Sequence, residues 1–180
     1  MQEREEKPLT VDHVEAIHPD EFDRKFRNTR PLVFTRGASC WPSMQILSDP
    51  RRLCALYEDE GEENVLLLRS RDNENFLKVD CRRELTRFSA AMDAVLAPST
   101  APSTSSATTR LRSYARAPIC RLLQTALADD VRSLAECMGD LPVNFDNCGV
   151  WFGTAGNVTP THYDLCHGFL VQLVGSKRFT

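Results

Sequence analysis

Two kinds of hydrophobic pattern follow one another in the second half of the chain, and their order limits the folds available to it. Across residues 118–138, apolar side chains recur at the three- and four-residue spacing of an amphipathic helix. Beyond this segment, short strand-like runs are separated by glycine and proline, at 149–153, 158–163, 169–174 and from Lys177 onward. A helical part followed by consecutive short strands predicts an α+β fold with antiparallel hairpins, in which Gly175 and Ser176 form one turn.

Shorter patterns occupy the first half of the chain. The sequence His18-Pro19-Asp20 opens a predicted helix, in which Phe22 and Phe26 share one face. The other predicted elements are an edge strand at 11–17, a buried strand at 31–35, a strand pair at 65–68 and 76–79 across the polar loop 69–75, and a helix at 84–96. That last helix is indicated by the spacing of Leu85, Phe88, Met92 and Val95.

A low-complexity segment follows at residues 97–109, where the unit Ala-Pro-Ser-Thr occurs twice. Such a composition offers too little apolar surface to offset the entropy lost on ordering. We therefore predict a disordered insertion at residues 97–110, inside the domain.

Composition excludes several classes of protein. The net charge of −3, with both signs mixed, gives no general argument for nucleic acid or an anionic membrane as a partner, and the sequence carries no DNA-binding signal. The seven cysteines are odd in number and include no C-x-x-C pair, which argues against a disulfide framework or zinc knuckle. The charged N-terminus and the absence of a long apolar run predict no signal peptide and no membrane span. We expect a cytoplasmic or nuclear protein.

The sequence His162-Tyr163-Asp164 is the strongest candidate for a metal site. Successive side chains of a strand point to opposite faces, so His162 and Asp164 would project together. An imidazole and a carboxylate on one face are two members of the 2-His-1-carboxylate triad that binds Fe(II).

The residues around this pair carry a family resemblance. The run Gly156-Asn-Val-Thr-Pro-Thr-His-Tyr-Asp164, followed by Gln172, Gly175 and Lys177, resembles the core of the JmjC or cupin-like Fe(II)/2-oxoglutarate dioxygenases. It is most similar to their small hydroxylase branch, which includes the asparaginyl hydroxylase that acts on hypoxia-inducible factor. The resemblance is specific over residues 151–180 and weaker upstream, where Arg30-Pro-Leu-Val-Phe, Gly37, Trp41-Pro42 and Tyr114 match the opening of the same domain.

The resemblance implies a fold and a set of roles. The fold would be a helical and strand-containing N-terminal portion packed on a double-stranded β-helix of the cupin or jelly-roll type. His162 and Asp164 would ligate Fe(II), and Lys177 would pair with the distal carboxylate of the co-substrate 2-oxoglutarate. Thr159 and Tyr114 would form hydrogen bonds with that carboxylate. The products would be succinate, CO2 and a hydroxylated substrate.

Two departures from the family pattern bear on catalysis. Gly168, preceded by His167, stands where the family usually has asparagine, and the distal metal-binding histidine has no counterpart in this chain. The β-helix is therefore expected to be incomplete, as in a truncated or degenerate relative, with unpaired strand edges that favour self-association. The predicted organisation is 1–96 for the N-terminal part of the domain, the insertion at 97–110, and 111–180 for a helix and the first strands of the metal-binding core.

Several functions stay open on the sequence alone. The first is an Fe(II)- and 2-oxoglutarate-dependent hydroxylase of a protein side chain or a tRNA base. Demethylation of lysine would use the same chemistry and is the less favoured reading, because we find no accompanying reader domain in the sequence. The alternative from another class is a non-catalytic cupin-like binding module. Four arginines around Tyr114 could contact RNA phosphates or line a solvated helix face: Arg110, Arg112, Arg116 and Arg121. We expect Trp41 and Trp151 to be core residues, and the cysteines to be buried.

Overall fold

The computed structural model describes residues 10–61, 64–70, 81–97, 112–136, 144–160, 162, 164 and 168–179. Its strands and helices are, in chain order, β1 (Asp12–Val14), α1 (Pro19–Lys25), β2 (Leu32–Phe34), α2 (Met44–Leu47), α3 (Pro50–Asp59), β3 (Asn64–Ser70), β4 (Arg82–Arg87), α4 (Phe88–Leu96), β5 (Arg112–Pro118), α5 (Arg121–Glu136) and β6 (Gly149–Gly153). They form two compact units, one from residues 1–44 and 127–143 and one from residues 45–126 and 144–180. The predicted insertion at 97–110 lies, apart from Ala97, outside the described residues.

The first unit contains a parallel pair of strands, β1 and β2, joined by α1. α1 begins where the sequence predicts, because His18 is its N-cap and the ring accepts a hydrogen bond from the backbone N–H of Asp20. The rings of Phe22 and Phe26 stack on one side of the helix, as expected. The prediction that the strand at 31–35 is buried is wrong, since Val33 is 39% exposed in this two-stranded pair.

The second unit is built around a four-stranded antiparallel sheet with the strand order β4-β3-β5-β6. One face of this sheet is covered by α3 and α4. On that face Val65 and Leu67 of β3 and Ala115 of β5 are almost fully buried. The antiparallel sheet and the surrounding helices confirm the mixed α and β class predicted from the sequence.

An aromatic cluster forms the core beneath the covered face. The rings of Tyr57 in α3 and Phe88 in α4 stack with centroids 3.8 Å apart, and Phe152 of β6 lies 5.1 Å from Phe88 at a tilted angle. The Tyr57 hydroxyl donates a hydrogen bond to the carbonyl of Pro118. These contacts join α3 and α4 to each other and to β5 and β6.

The predicted helix at 84–96 is wrong in its first turn. Residues 82–87 are a strand that pairs along its whole length with β3, and the helix begins only at Phe88. Leu85, the first apolar residue of that helical pattern, is 73% exposed. Pairing with β3 provides hydrogen bonds for the backbone groups on one side of this edge strand, and it prevails over the local helical spacing. The strand expected at 76–79 lies outside the described residues.

The chain after β6 also differs from the prediction. The runs at 158–163 and 169–174 were expected to be strands, but their described residues, 158–160, 162 and 169–174, belong to no strand. Gly175 has a positive φ of 78° without joining a hairpin. A strand needs a partner for its backbone groups, and no described segment pairs with these runs.

The long helix predicted at 118–138 is confirmed as α5, with slightly shorter bounds. Its first turn is capped from a distance, because the carboxylate of Glu60 accepts hydrogen bonds from the backbone N–H groups of Arg121 and Leu122. No helix in the described part of the chain combines the length and apolar character needed to span a membrane.

Candidate metal centre and neighbouring residues

The side chains of His162 and Asp164 lie close together on the segment that follows β6. The Nε2 atom of His162 is 3.9 Å from Oδ1 of Asp164, and the two side chains are 52% and 77% exposed. Donors bound at about 2.1 Å to one ion in neighbouring octahedral positions lie about 3.0 Å apart. Rotation of either exposed side chain can close the difference, so the pair can occupy two positions of a metal ion.

A backbone carbonyl sets the orientation of the His162 ring. Nδ1 lies 2.9 Å from the carbonyl oxygen of Pro160. That oxygen can only accept, so Nδ1 carries the proton and donates. With the proton on Nδ1, the other ring nitrogen, Nε2, faces Asp164 and is the position from which a deprotonated ring can bind a metal ion. Metal-binding histidines are commonly held in this way, with the second ring nitrogen donating to a carbonyl or carboxylate.

A second His and Asp pair with the same spacing illustrates that this spacing alone does not define a candidate metal site. His18 and Asp20 are also two positions apart, and Nδ1 of His18 is 3.6 Å from the Asp20 carboxylate. Here, however, Nδ1 accepts the hydrogen bond that caps α1, so it is not free for a metal ion. Among the described residues, no group of three or more His, Cys, Asp or Glu side chains could hold a metal ion.

Tyr114 and Thr159, the two predicted carboxylate-binding residues with hydroxyl groups, lie next to each other. Tyr114 is half-buried on β5, and a side-chain hydrogen bond joins it to the exposed Thr159. Burial raises the pKa of the Tyr114 hydroxyl above its ordinary value, and this outweighs the hydrogen bond with Thr159 and the charge of Arg116, which lower it. Both hydroxyls are therefore neutral groups able to bind a carboxylate.

The raised pKa of Tyr114 predicts a loss of stability in alkali. The unfolded chain releases this proton at about pH 10, before the folded protein does, so the free energy of unfolding should fall as the pH rises from there through the folded pKa. Tyr114→Phe should remove the part of this decrease in the free energy of unfolding that is due to Tyr114. Urea unfolding of both proteins at about pH 8 and pH 11 measures the difference, and equal losses in the two proteins would contradict the prediction.

Three polar residues that the sequence analysis did not single out hold Thr159 near β5. Asn157 donates from Nδ2 to the carbonyl of Ser113 at 2.8 Å, and the Thr154 hydroxyl donates to the Asn157 side-chain oxygen at 3.0 Å. Thr154 also accepts from the backbone N–H of Ser113. The signal available in the sequence was the Gly156-Asn157 pair, a typical turn dipeptide.

Lys177 contacts an aromatic ring close to it in the sequence. Its ammonium lies 5.4 Å from the centroid of the Phe179 ring, and within the described residues no hydrogen bond or ion pair joins it to Thr159 or Tyr114. Gln172 donates to the carbonyl of Val174. His167 and Arg110 lie outside the described residues.

The two tryptophans and the cysteines differ from each other in their environments. Trp41 is buried, as predicted, but Trp151 is 53% exposed, so its prediction as a core residue is wrong. Its ring is instead in contact with the guanidinium of Arg116, 5.3 Å away. Of the described cysteines, Cys81 and Cys120 are buried as expected and Cys40 is exposed.

Comparison with known proteins supplies the family. The sequence model of the cupin-like domain matches residues 19–180. The chain is also similar to Lysine-specific demethylase JMJ30 of Arabidopsis thaliana, with 27% identity over 155 residues, which are 82% of this chain and 31% of that protein. The chain thus spans about a third of the length of this relative, and no solved structure matches it. With a match that extends over nearly its whole length, the chain belongs to the cupin-like domain family.

Proposed function

We propose that the protein is an Fe(II)- and 2-oxoglutarate-dependent oxygenase. The observation that carries this proposal is the orientation of His162, whose Nε2 atom faces the Asp164 carboxylate while Nδ1 is engaged by the Pro160 carbonyl. The distant similarity to a protein named as a lysine demethylase supports the same class of chemistry.

Each predicted residue has a part in this proposal. His162 and Asp164 would hold the metal ion, and the hydroxyls of Tyr114 and Thr159 would orient the distal carboxylate of 2-oxoglutarate. Lys177 is proposed as the positive charge that pairs with this carboxylate. When bound, Fe(II) and 2-oxoglutarate would supply the oxidation of a substrate C–H bond, with succinate and CO2 as co-products. The protein contributes binding, orientation and exclusion of water, in an arrangement that we propose to be a double-stranded β-helix.

We propose a protein side chain or a tRNA base as the prime substrate, and hydroxylation as the outcome. Demethylation of lysine is the alternative suggested by the name of the relative, JMJ30. The two outcomes share the metal and co-substrate positions, because demethylation begins with hydroxylation of the methyl group. They differ in the surface that binds the substrate.

A non-catalytic binding module is the second candidate. It is favoured by the donor set, because His162 and Asp164 are two donors and the described residues offer no third one beside them. Such a module would use Tyr114 and Thr159 to bind a small carboxylate without turning it over.

Succinate formation distinguishes the two candidates. The full-length protein is incubated with Fe(II) and 2-oxoglutarate, and succinate is measured with and without a chelator. We expect succinate that depends on iron, even without a prime substrate. Saturable binding of 2-oxoglutarate without succinate would support the binding module instead, and the absence of both would contradict both candidates.

A further inference from the structure

The chain that leaves β6 is fastened to one residue of β5, Ser113, by a group of hydrogen bonds that we call the Asn157 latch. The backbone N–H of Thr154 donates to the Ser113 carbonyl at 3.0 Å. Nδ2 of Asn157 donates to the same carbonyl at 2.8 Å. The Thr154 hydroxyl accepts from the backbone N–H of Ser113 and donates to Oδ1 of Asn157. Two side chains and one backbone amide are thus joined to a single strand residue.

The latch holds a turn closed from both of its ends. Thr154 comes directly after the end of β6, and Asn157 comes directly after Gly156, whose φ of 78° is one that glycine adopts readily. A Cβ at Gly153 would collide with Nδ2 of Asn157, so the glycine leaves the amide a path to the strand. Residues 154–157 are therefore held against β5 at both sides of the turn.

The two parts of the candidate site differ in what brings their members together. His162 and Asp164 are two positions apart, and the ring is oriented by the carbonyl of Pro160, so this metal pair forms within one short segment. Tyr114 and Thr159 come from separate segments, one from β5 and the other from the chain after β6. The meeting of these two hydroxyls depends on whatever holds the second segment against the strand.

The position of the latch matches this requirement. On one side, Asn157 lies two residues before Thr159, and on the other side, Ser113 lies next to Tyr114. The latch therefore joins the two segments directly beside the two hydroxyls. A free turn would sample many conformations, and ordering it when a ligand binds would cost affinity.

We propose that Asn157 is a positioning residue for 2-oxoglutarate: it holds Thr159 beside Tyr114 and so creates the pair that binds the distal carboxylate. The metal pair, by contrast, forms without it. This inference rests on the function proposed above and adds to it a residue that acts through Thr159 alone.

A general contribution to stability is the competing explanation for the latch. Loss of a partly buried hydrogen bond destabilises a fold wherever it lies, and it does not distinguish one part of a site from another. The informative measurement is therefore the affinity for 2-oxoglutarate compared with the affinity for the metal ion in the same variant.

Asn157→Ala is expected to weaken the binding of 2-oxoglutarate about tenfold, because loss of a residue that supports a binding group costs about 10- to 100-fold. Calorimetric titration of the full-length protein loaded with Co(II) measures this affinity. Affinity for Co(II) itself, followed by absorption without 2-oxoglutarate, should be unchanged, because Pro160 still orients the ring of His162.

Further variants separate the latch from its surroundings. Thr154→Val removes the hydroxyl at nearly the same shape and should resemble Asn157→Ala, whereas Thr154→Ser keeps the hydroxyl and should retain most of the affinity for 2-oxoglutarate. The matched control is Asn144→Ala, because the side chain of Asn144 accepts from the backbone N–H of Asp146 in a different turn of the same unit. We expect its affinity for 2-oxoglutarate to be unchanged. Circular dichroism verifies that each variant is folded.

Several outcomes would overturn the inference. These are an unchanged affinity for 2-oxoglutarate in Asn157→Ala, an equal loss in Asn144→Ala, and a loss of Co(II) affinity in Asn157→Ala as large as the loss for 2-oxoglutarate. If the unaltered protein binds no 2-oxoglutarate, the proposed function fails and the role of Asn157 fails with it. If the unaltered protein binds it and Asn157→Ala binds it equally well, this inference alone is refuted.

Discussion

Replacing His162 with alanine is expected to weaken the binding of a divalent first-row metal ion at least about 100-fold, because even a lost supporting hydrogen bond costs about 10- to 100-fold. Within the described residues, the substitution removes the nitrogen that faces Asp164 and leaves the exposed Asp164 carboxylate. Such a carboxylate alone holds the ion weakly. Titration with Co(II), followed by absorption, measures the affinity for the metal ion. Iron-dependent succinate formation should disappear in the same variant.

The control for this experiment is present in the same chain. His18→Ala removes the other histidine that precedes an aspartate by two positions, but its Nδ1 serves the N-cap of α1. We expect metal affinity to be unchanged in this variant, at the cost of a small loss of helix stability. An equal loss of metal affinity in His18→Ala and His162→Ala, or an unchanged metal affinity in His162→Ala, would refute the assignment of His162 as a ligand.

Replacing Phe88 with alanine is expected to lower the free energy of unfolding by about 3 to 5 kcal/mol. The side chain is fully buried and contacts both Tyr57 and Phe152, so its removal leaves a cavity between α3, α4 and the sheet. Because domains are stable by only about 5 to 15 kcal/mol, much of the stability would be lost. Urea unfolding followed by circular dichroism measures the change.

Phe179→Ala is the matched control, since it removes the same side chain from a position that is 72% exposed. A substitution at such a surface position should change the free energy of unfolding by no more than about 0.5 kcal/mol. If Phe88→Ala were as mild as this control, the aromatic cluster would not be the core of the second unit.

The candidate site was predicted in part from local sequence. An extended strand was expected to place His162 and Asp164 on one face. Neither residue belongs to a strand, yet their side chains approach to 3.9 Å. A spacing of two residues is short enough to favour contact in several backbone conformations. The orientation of the ring by Pro160, which distinguishes this pair from His18 and Asp20, could not be read from the spacing.

Residues far apart in the sequence were harder to place. Tyr114 and Thr159 were each proposed from the family pattern, and their hydrogen bond depends on Asn157 and Thr154 holding the chain against Ser113. Lys177 was proposed on the same grounds and stays a prediction; among the described residues its ammonium contacts the ring of Phe179. Whether such residues meet depends on the path of the whole chain between them.

The sequence by itself determined the features that depend on neighbours within a few residues. α1 follows from helical spacing and from the N-cap His18, α5 follows from helical spacing, and β6 follows from a short apolar run between glycines. The motif around His162 also predicted the cupin-like family from the sequence.

Only the tertiary structure decided which residues share a surface. Pairing with β3 made residues 82–87 a strand rather than a helix, and strand register placed Leu85, Leu66, Arg116 and Trp151 in one row. The physical reason is that hydrogen bonds between strands and burial beneath helices join distant segments. Hydrophobic periodicity reports only the local preference that these interactions can overrule.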